Sequence, residues 1–170
     1  MHKKRIYGLK RPFYRTVMRK DDMEKLIKLA KSLRTIFEER HKELDIPFFY
    51  NFPKNSCEGA SMFFGHIAKV MCPEMNISIV KGFRVFEEDD EGYHFWVEIN
   101  NRIFDLTSDQ FDEAKEPIIN ENFEVKHIGF CIEDRQPVSD YLLYYIDNCL
   151  EIRRFASIRE ELFSALESYA

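Results

Sequence analysis

The spacing of apolar residues changes at Pro73 and changes again near Val138. Before Pro73, apolar side chains recur every three or four residues, which is typical of amphipathic helices. After Pro73 the chain becomes rich in β-branched and aromatic residues, which is typical of strands. The tail from Val138 to Tyr169 has helical spacing again. The sequence therefore predicts helices at both ends and strands in the middle.

Two helices are predicted before Pro73, over residues 22–43 and 57–71, with Ser56 as the cap of the second. The second helix is apolar on nearly all sides, which predicts a central position. Between them lies an irregular segment broken by prolines. Its aromatic cluster is expected to attach the segment to the core: Phe48, Phe49, Tyr50 and Phe52.

Composition places the chain among globular proteins. Of its 170 residues 45% are hydrophobic and 32% are charged, which excludes the disordered, collagen-like and membrane-spanning classes. This length predicts one domain, over residues 21–170. No apolar stretch suits a membrane span or a signal peptide. We therefore expect a cytoplasmic protein; its oligomeric state stays open.

Charge is distributed unevenly along the chain. The first 20 residues carry eight Lys or Arg and no acid, which leaves 17 basic against 30 acidic residues in the remainder. An acidic body argues against nucleic-acid binding by the main fold. The basic arm, residues 1–20, is the one segment that suits an anionic partner, although it equally suits a solvating extension. The acidic run Glu87–Glu91 predicts an exposed hairpin loop.

Later segments predict further strands and two final helices. Residues 77–86 predict one strand and residues 123–132 another. In the helical tail, a weak break is expected near Ala156 and Ser157.

The segment from Tyr93 to Thr107 predicts a hairpin that turns at Asn100 and Asn101, because asparagine tolerates the positive φ of such turns. Alternation then puts an apolar set on one face of the two strands and a polar set on the other. His94 and Asp105 are diagonal neighbours on the polar face, within side-chain reach. The apolar set is Phe95, Val97, Ile99, Phe104 and Leu106; the other is His94, Trp96, Glu98, Ile103, Asp105 and Thr107.

A carboxylate beside an imidazole fixes its tautomer and leaves the other ring nitrogen to accept a proton from a nucleophile. Cys57 is the strongest candidate, since the first turn of a helix favours a thiolate. Cys72 lies at a helix end of the opposite polarity. Cys131 and Cys149 lie in apolar runs, where burial makes a thiol unreactive. No pair of cysteines has C-x-x-C spacing, so neither a disulfide framework nor a zinc site is expected.

The order of a cysteine opening a central helix, H-x-W-x-E from His94 and D-x-T from Asp105 resembles the transglutaminase-like branch of the papain-like cysteine enzymes. The resemblance covers roughly residues 50–111. It implies an α+β fold in which the cysteine-bearing helix packs on an antiparallel sheet, and acyl chemistry on amides by a Cys57, His94, Asp105 triad. It also implies an oxyanion-binding amide side chain, for which Asn51 and Asn55 are the candidates. The residues show no calcium-site pattern, and no cofactor is expected.

Three neighbouring residues have alternative interpretations. Trp96 suits core packing or a wall of the substrate site, and Gln110 suits a turn cap or an oxyanion donor. Glu98 is expected to pair with Arg102. A metal site is not expected, because His41, His66 and His127 lack a cysteine or acid at ligand spacing.

Two classes of function follow. The first is a cysteine hydrolase or acyltransferase that acts on protein or peptide amides as a peptidase, amidase or glutamine deamidase. The second is a transglutaminase-like module without turnover that binds a partner protein through the aromatic face around Trp96 and the basic arm.

Overall fold

The computed structural model describes residues 20–86, 91–122 and 126–169, and has an α+β fold. The basic arm, apart from Lys20, and most of the acidic run lie outside the described residues. Helix α1 spans Lys20–Arg40 with Asp21 and Asp22 in its first turn, where acids suit the helix dipole. The helix therefore starts and ends slightly before the predicted range of 22–43. Its apolar stripe is buried, and no described helix has the length and apolarity needed to cross a bilayer.

The aromatic segment that follows α1 attaches to the core through only part of its cluster. Phe49 lies in a one-turn 3-10 helix, Phe49–Asn51, and its ring packs edge-on against Phe37 with centroids 5.0 Å apart. Phe52 packs on both rings. Phe48 and Tyr50 are exposed. The expectation that all four rings anchor the segment was wrong, because the 3-10 turn points successive side chains in different directions.

Helix α2 spans Cys57–Met71, as predicted, and packs against α1, α3 and two strands. Ser56 precedes it, but its hydroxyl donates to the carbonyls of Phe48 and Lys54 and accepts no hydrogen bond from the first N–H groups of α2. Ser56 is therefore not the side-chain cap that the sequence predicted. It holds the preceding loop closed against the start of α2 instead.

Among the described residues, six strands form one antiparallel sheet in the order β4-β3-β2-β1-β6-β5. The predicted hairpin is present: Val97 pairs with Phe104, and the turn residues Asn100 and Asn101 both have positive φ. The strands are β1 Ile77–Val85, β2 Glu91–Ile99, β3 Arg102–Asp105, β4 Ile118–Asn122, β5 Lys126–His127 and β6 Phe130–Pro137.

Two parts of the sheet differ from the prediction. Strand β4 was not predicted, since its sequence IINEN has no clear alternation. Residues 123–132 do not form one strand, because the chain turns at Ile128 and Gly129, both with positive φ, and returns as β6. This turn makes β5 a short edge strand that carries His127.

Both faces of the sheet are covered. The helices cover the face that carries Val97, Ile99 and Phe104, as the alternation predicted. The opposite face encloses a second, smaller cluster formed by Val80, Trp96, Ile103 and Phe130. Gly82 allows this close packing, because a Cβ there would lie 2.6 Å from the Trp96 ring.

The tail forms α3, Val138–Asn148, and α4, Ile152–Ser168. The break between them lies at residues 149–151 and not near Ala156 and Ser157, which are inside α4. Both helices turn an apolar face to the main core, where Tyr145, Phe155 and Leu162 are buried.

Candidate functional site

His94 and Asp105 meet on the smaller-cluster face of the β2–β3 hairpin. The Nε2 atom of His94 lies 2.6 Å from Oδ2 of Asp105, and both side chains are fully buried. The diagonal pairing predicted from the alternation therefore occurs. Its burial makes the contact stronger than an exposed pair of the same kind, because little water competes for it.

The second oxygen of Asp105 is held by its own strand end. Oδ1 accepts hydrogen bonds from the backbone N–H of Thr107 at 3.0 Å and from its hydroxyl at 3.2 Å. These bonds form an Asx turn, in which the aspartate side chain accepts a hydrogen bond from the backbone N–H two residues later. The D-x-T pattern thus fixes the rotation of the carboxylate and leaves Oδ2 directed at the imidazole.

His127 is the residue of this cluster that sequence reasoning missed. Its Nε2 atom lies 2.8 Å from the same Oδ2 of Asp105, and the side chain is 5% exposed. The absence of a cysteine or acid at metal-ligand spacing was misleading, because β5 brings His127 to Asp105 across 22 residues of chain. Gly129 signals a hairpin that would have placed His127 opposite Phe130, but nothing local indicates its distance from Asp105.

The buried carboxylate determines the charge of this cluster. Burial alone lowers the pKa of His94, but the charge and hydrogen bond of Asp105, together with Cys57, outweigh it and raise that pKa to about 10. Burial alone raises the pKa of Asp105, whereas both histidines hold it far below its usual range. Near neutral pH the pair is therefore an imidazolium and a carboxylate.

Cys57 is half-buried in the first turn of α2. Its sulfur lies close enough to the His94 ring to help raise the pKa of His94. Since Nε2 of His94 is bonded to Asp105, Nδ1 is the ring nitrogen that could exchange a proton with the thiol. Within the described residues Nδ1 has no hydrogen-bond partner, and catalytic hydrogen bonds are often long or poorly aligned before substrate binds.

The other three cysteines differ from Cys57 in their surroundings. Cys72 is buried at the C-terminal end of α2. Burial, together with the charge of Glu58, raises the pKa of Cys149 to about 11, in agreement with the expected unreactive thiol. Cys131 is exposed, so its predicted burial was wrong: its side chain points outward from β6 although its sequence neighbours are apolar.

The candidate oxyanion donors lie around the start of α2. Asn51 and Asn55 are exposed, and Asn55 has a positive φ of 61°. Gln110 accepts a hydrogen bond from the Asn55 backbone N–H at 3.3 Å and donates to the Thr107 carbonyl at 2.9 Å. These bonds favour the turn-cap interpretation of Gln110, which ties the loop before Cys57 to the loop after Asp105.

Trp96 and Glu98, the other residues of the H-x-W-x-E pattern, do not contact Asp105 or Cys57 through any hydrogen bond that the described residues show. Trp96 is fully buried and packs 4.8 Å from the His127 ring, which favours its packing interpretation. Glu98 bonds to Arg135 through both carboxylate oxygens. The expected pair with Arg102 was wrong, because Arg102 instead donates to Asn120 and Asn122 on β4.

His94, Asp105 and His127 also form a group that could hold a metal ion, with ligand atoms within 4.8 Å of one another. Two ligand atoms 2.6 Å apart, each about 2.1 Å from zinc, would subtend about 76° at the ion, well below the tetrahedral angle of about 109°. The observed separations fit direct N–H to oxygen hydrogen bonds instead. A bound ion would require the three groups to move apart.

Comparisons of the chain with protein-family models, curated proteins and solved structures give no match.

Proposed function

We propose that the chain is a cysteine-dependent hydrolase or acyltransferase of transglutaminase-like type that acts on amide bonds. The observation that carries the proposal is the buried His94–Asp105 hydrogen bond, which leaves Nδ1 of His94 for the thiol of Cys57. A nucleophile, a base and a group that orients the base are the three parts that nucleophilic catalysis requires.

In the first half of the reaction, the Cys57 thiolate attacks the carbonyl carbon of an amide and the carbonyl π electrons move to oxygen. The imidazolium of His94 gives its Nδ1 proton to the leaving nitrogen as the carbon–nitrogen bond breaks. The products are a thioester on Cys57 and a free amine. Asp105 stays ionised throughout and holds the ring by Nε2, since its pKa lies far below its usual range.

In the second half, neutral His94 accepts a proton at Nδ1 from water or from an acceptor amine, whose oxygen or nitrogen attacks the thioester carbon. The carbon–sulfur bond then breaks and the electron pair returns to sulfur, which restores the thiolate beside the imidazolium. Water as acceptor gives a peptidase, an amidase or a deamidase. An amine as acceptor gives acyl transfer.

The start of α2 supplies the electrostatic part of the mechanism. The first N–H groups of a helix have no acceptor within it, so the Cys57 backbone N–H is available to the oxyanion that forms when sulfur attacks. Asn51 and Asn55 are the candidates for a second donor, because both flank this helix start.

The experiment that tests the proposal is a search for the acyl-enzyme. An activated ester such as p-nitrophenyl acetate should give a burst of nitrophenol equal to the enzyme concentration, and mass spectrometry of the digest should find the acetyl group on Cys57. Cys57→Ser should abolish the burst. The matched control Cys131→Ser, which removes the exposed thiol, should retain it.

An acetyl group spread over several thiols, or a burst that survives in Cys57→Ser, would contradict the proposal. An acetyl group spread over several thiols would favour a binding module without turnover.

A further inference from the structure

Two imidazoles share a single oxygen of Asp105. Oδ2 lies 2.6 Å from Nε2 of His94 and 2.8 Å from Nε2 of His127. Since an ionised carboxylate only accepts, both Nε2 atoms must carry a proton and donate. With the two bonds from Thr107 to Oδ1, the carboxylate accepts four hydrogen bonds in a fully buried position.

The β5–β6 hairpin that carries His127 has a strained backbone. Ile128 follows His127 with a φ of 47°, a conformation that a β-branched residue rarely adopts. Arg84 donates to the Ile128 carbonyl at 3.0 Å and forms an ion pair with Glu113. The turn is therefore held from outside the hairpin, and this fixes the direction of His127.

The surroundings of His127 indicate what its ring does. It packs against Trp96 with centroids 4.8 Å apart and lies 6.2 Å from the His94 ring. Its donor nitrogen is bonded to Asp105, whereas the pKa of His94 is raised by Cys57 as well as by Asp105. Nothing in these contacts joins His127 to the thiol. Its effect on the reaction would therefore pass through the carboxylate.

We propose that His127 is a positioning residue of the site, which donates its Nε2–H to Asp105 and so holds the carboxylate in place for His94. The inference rests on the proposed function. Without His127, one lone pair of a buried carboxylate would lose its donor, and the carboxylate would rotate or recruit water to recover it. Either change misplaces the partner that holds the His94 ring by Nε2.

The test compares two substitutions at His127 with the same two at His66. His127→Leu removes the donor, whereas His127→Gln keeps an amide N–H at a similar distance from the backbone. His66 is the matched control: its Nε2 atom is buried, and its ring packs on Phe155 in α4, away from Asp105. Loss of an imidazole is common to both positions, so thermal melting of all four variants measures the structural part of the effect.

His127→Leu should slow iodoacetamide labelling of Cys57 by about 10- to 100-fold, the loss expected for one hydrogen bond to a charged group. His127→Gln should recover most of the rate, and both His66 variants should label like wild type. With a substrate, His127→Leu should lower kcat and leave KM unchanged, because the ring lies behind the carboxylate.

A labelling rate in His127→Leu equal to that in His66→Leu would overturn the inference while leaving the proposed function intact. If wild type itself labels no faster than His94→Ala, the proposed function fails instead. Should His127→Leu not fold, nitrogen-15 NMR of the wild-type histidines decides: the inference requires a proton on Nε2 of His127, and a bare Nε2 would overturn it.

Discussion

At the scale of single residues, one carboxylate accounts for most of the unusual chemistry of the site. Asp105 lies at the end of β3, where its turn with Thr107 fixes one oxygen and the two histidines share the other. Alternation along the hairpin was enough to predict that His94 and Asp105 share a face. The third partner was not predictable in this way, since His127 reaches Asp105 from a strand at the far edge of the sheet.

The charge of Asp105 predicts an unusual titration of His94. In wild type the pKa of His94 is raised from 6.5 to about 10, so the ring should stay protonated through neutral pH. In Asp105→Asn the carboxylate is lost and burial dominates, so the ring should titrate below pH 6.5. NMR of the histidine side chains between about pH 5 and pH 10 measures the titration of His94 in wild type and in Asp105→Asn. Glu98→Gln, which removes another buried carboxylate of the sheet, is the control and should leave the titration of His94 unchanged.

The same shifts predict how stability depends on pH. The contribution of His94 to the free energy of unfolding is complete below pH 6.5 and is lost as pH rises from 6.5 to about 10. Asp105, whose pKa is lowered from 3.8, stabilises the folded state above pH 3.8 and loses this contribution as the pH falls below that value. Urea unfolding should show the alkaline loss in wild type and much less of it in Asp105→Asn. A wild-type His94 that titrates near pH 6.5 would contradict both predictions.

At the scale of elements, α1 is joined to the loop that follows β3 through one buried side chain. Arg34 donates to both carboxylate oxygens of Asp109 at 2.7 Å and to the Leu106 carbonyl. The loop so fixed carries Thr107 and Gln110, which orient Asp105 and contact the segment before Cys57. Arg34 thus connects a helix outside the site to the two loops that form it.

Arg34→Ala should lower the free energy of unfolding by about 3 kcal/mol, because it leaves Asp109 largely buried without its partner. Arg154→Ala is the matched control: Arg154 binds Asp45 through both carboxylate oxygens, but both side chains are exposed. Its loss should cost less than about 1 kcal/mol. Urea denaturation measures the free energy of unfolding of both variants. Equal decreases in the two would show that burial of the Arg34–Asp109 pair does not add to stability.

The elements with strong local signals were predicted and those set by distant contacts were not. The helix from Cys57 and the turn at Asn100 and Asn101 follow from apolar spacing and from asparagine's tolerance of positive φ. Strand β4 pairs with β3, and Arg102 on β3 binds two of its asparagines, which no local pattern reveals. Cys131 was misplaced because apolar sequence neighbours do not show which way a strand residue points.

At the scale of the whole molecule, the site exists because the sheet is covered on both faces. The helices pack on one face, and on the other the second cluster encloses the ring of His94 between Trp96, Phe111 and Phe130. The start of α2 lies close enough for Cys57 to affect the pKa of that ring. Composition and periodicity predicted helices at both ends with strands between. They could not predict the second cluster, since the β5–β6 hairpin closes it through contacts between distant parts of the chain.

The central claim is that Cys57 is made reactive by an imidazole that Asp105 holds in place. The most direct measurement is the rate at which each of the four thiols reacts with iodoacetamide at about pH 6.5, in wild type and in His94→Ala. Exposed Cys131 provides the ordinary rate within the same molecule. Half-buried Cys57 should react faster than Cys131 in wild type and fall to or below it in His94→Ala. If Cys57 reacts no faster than Cys131 in wild type, or at the same rate in both proteins, the claim is wrong.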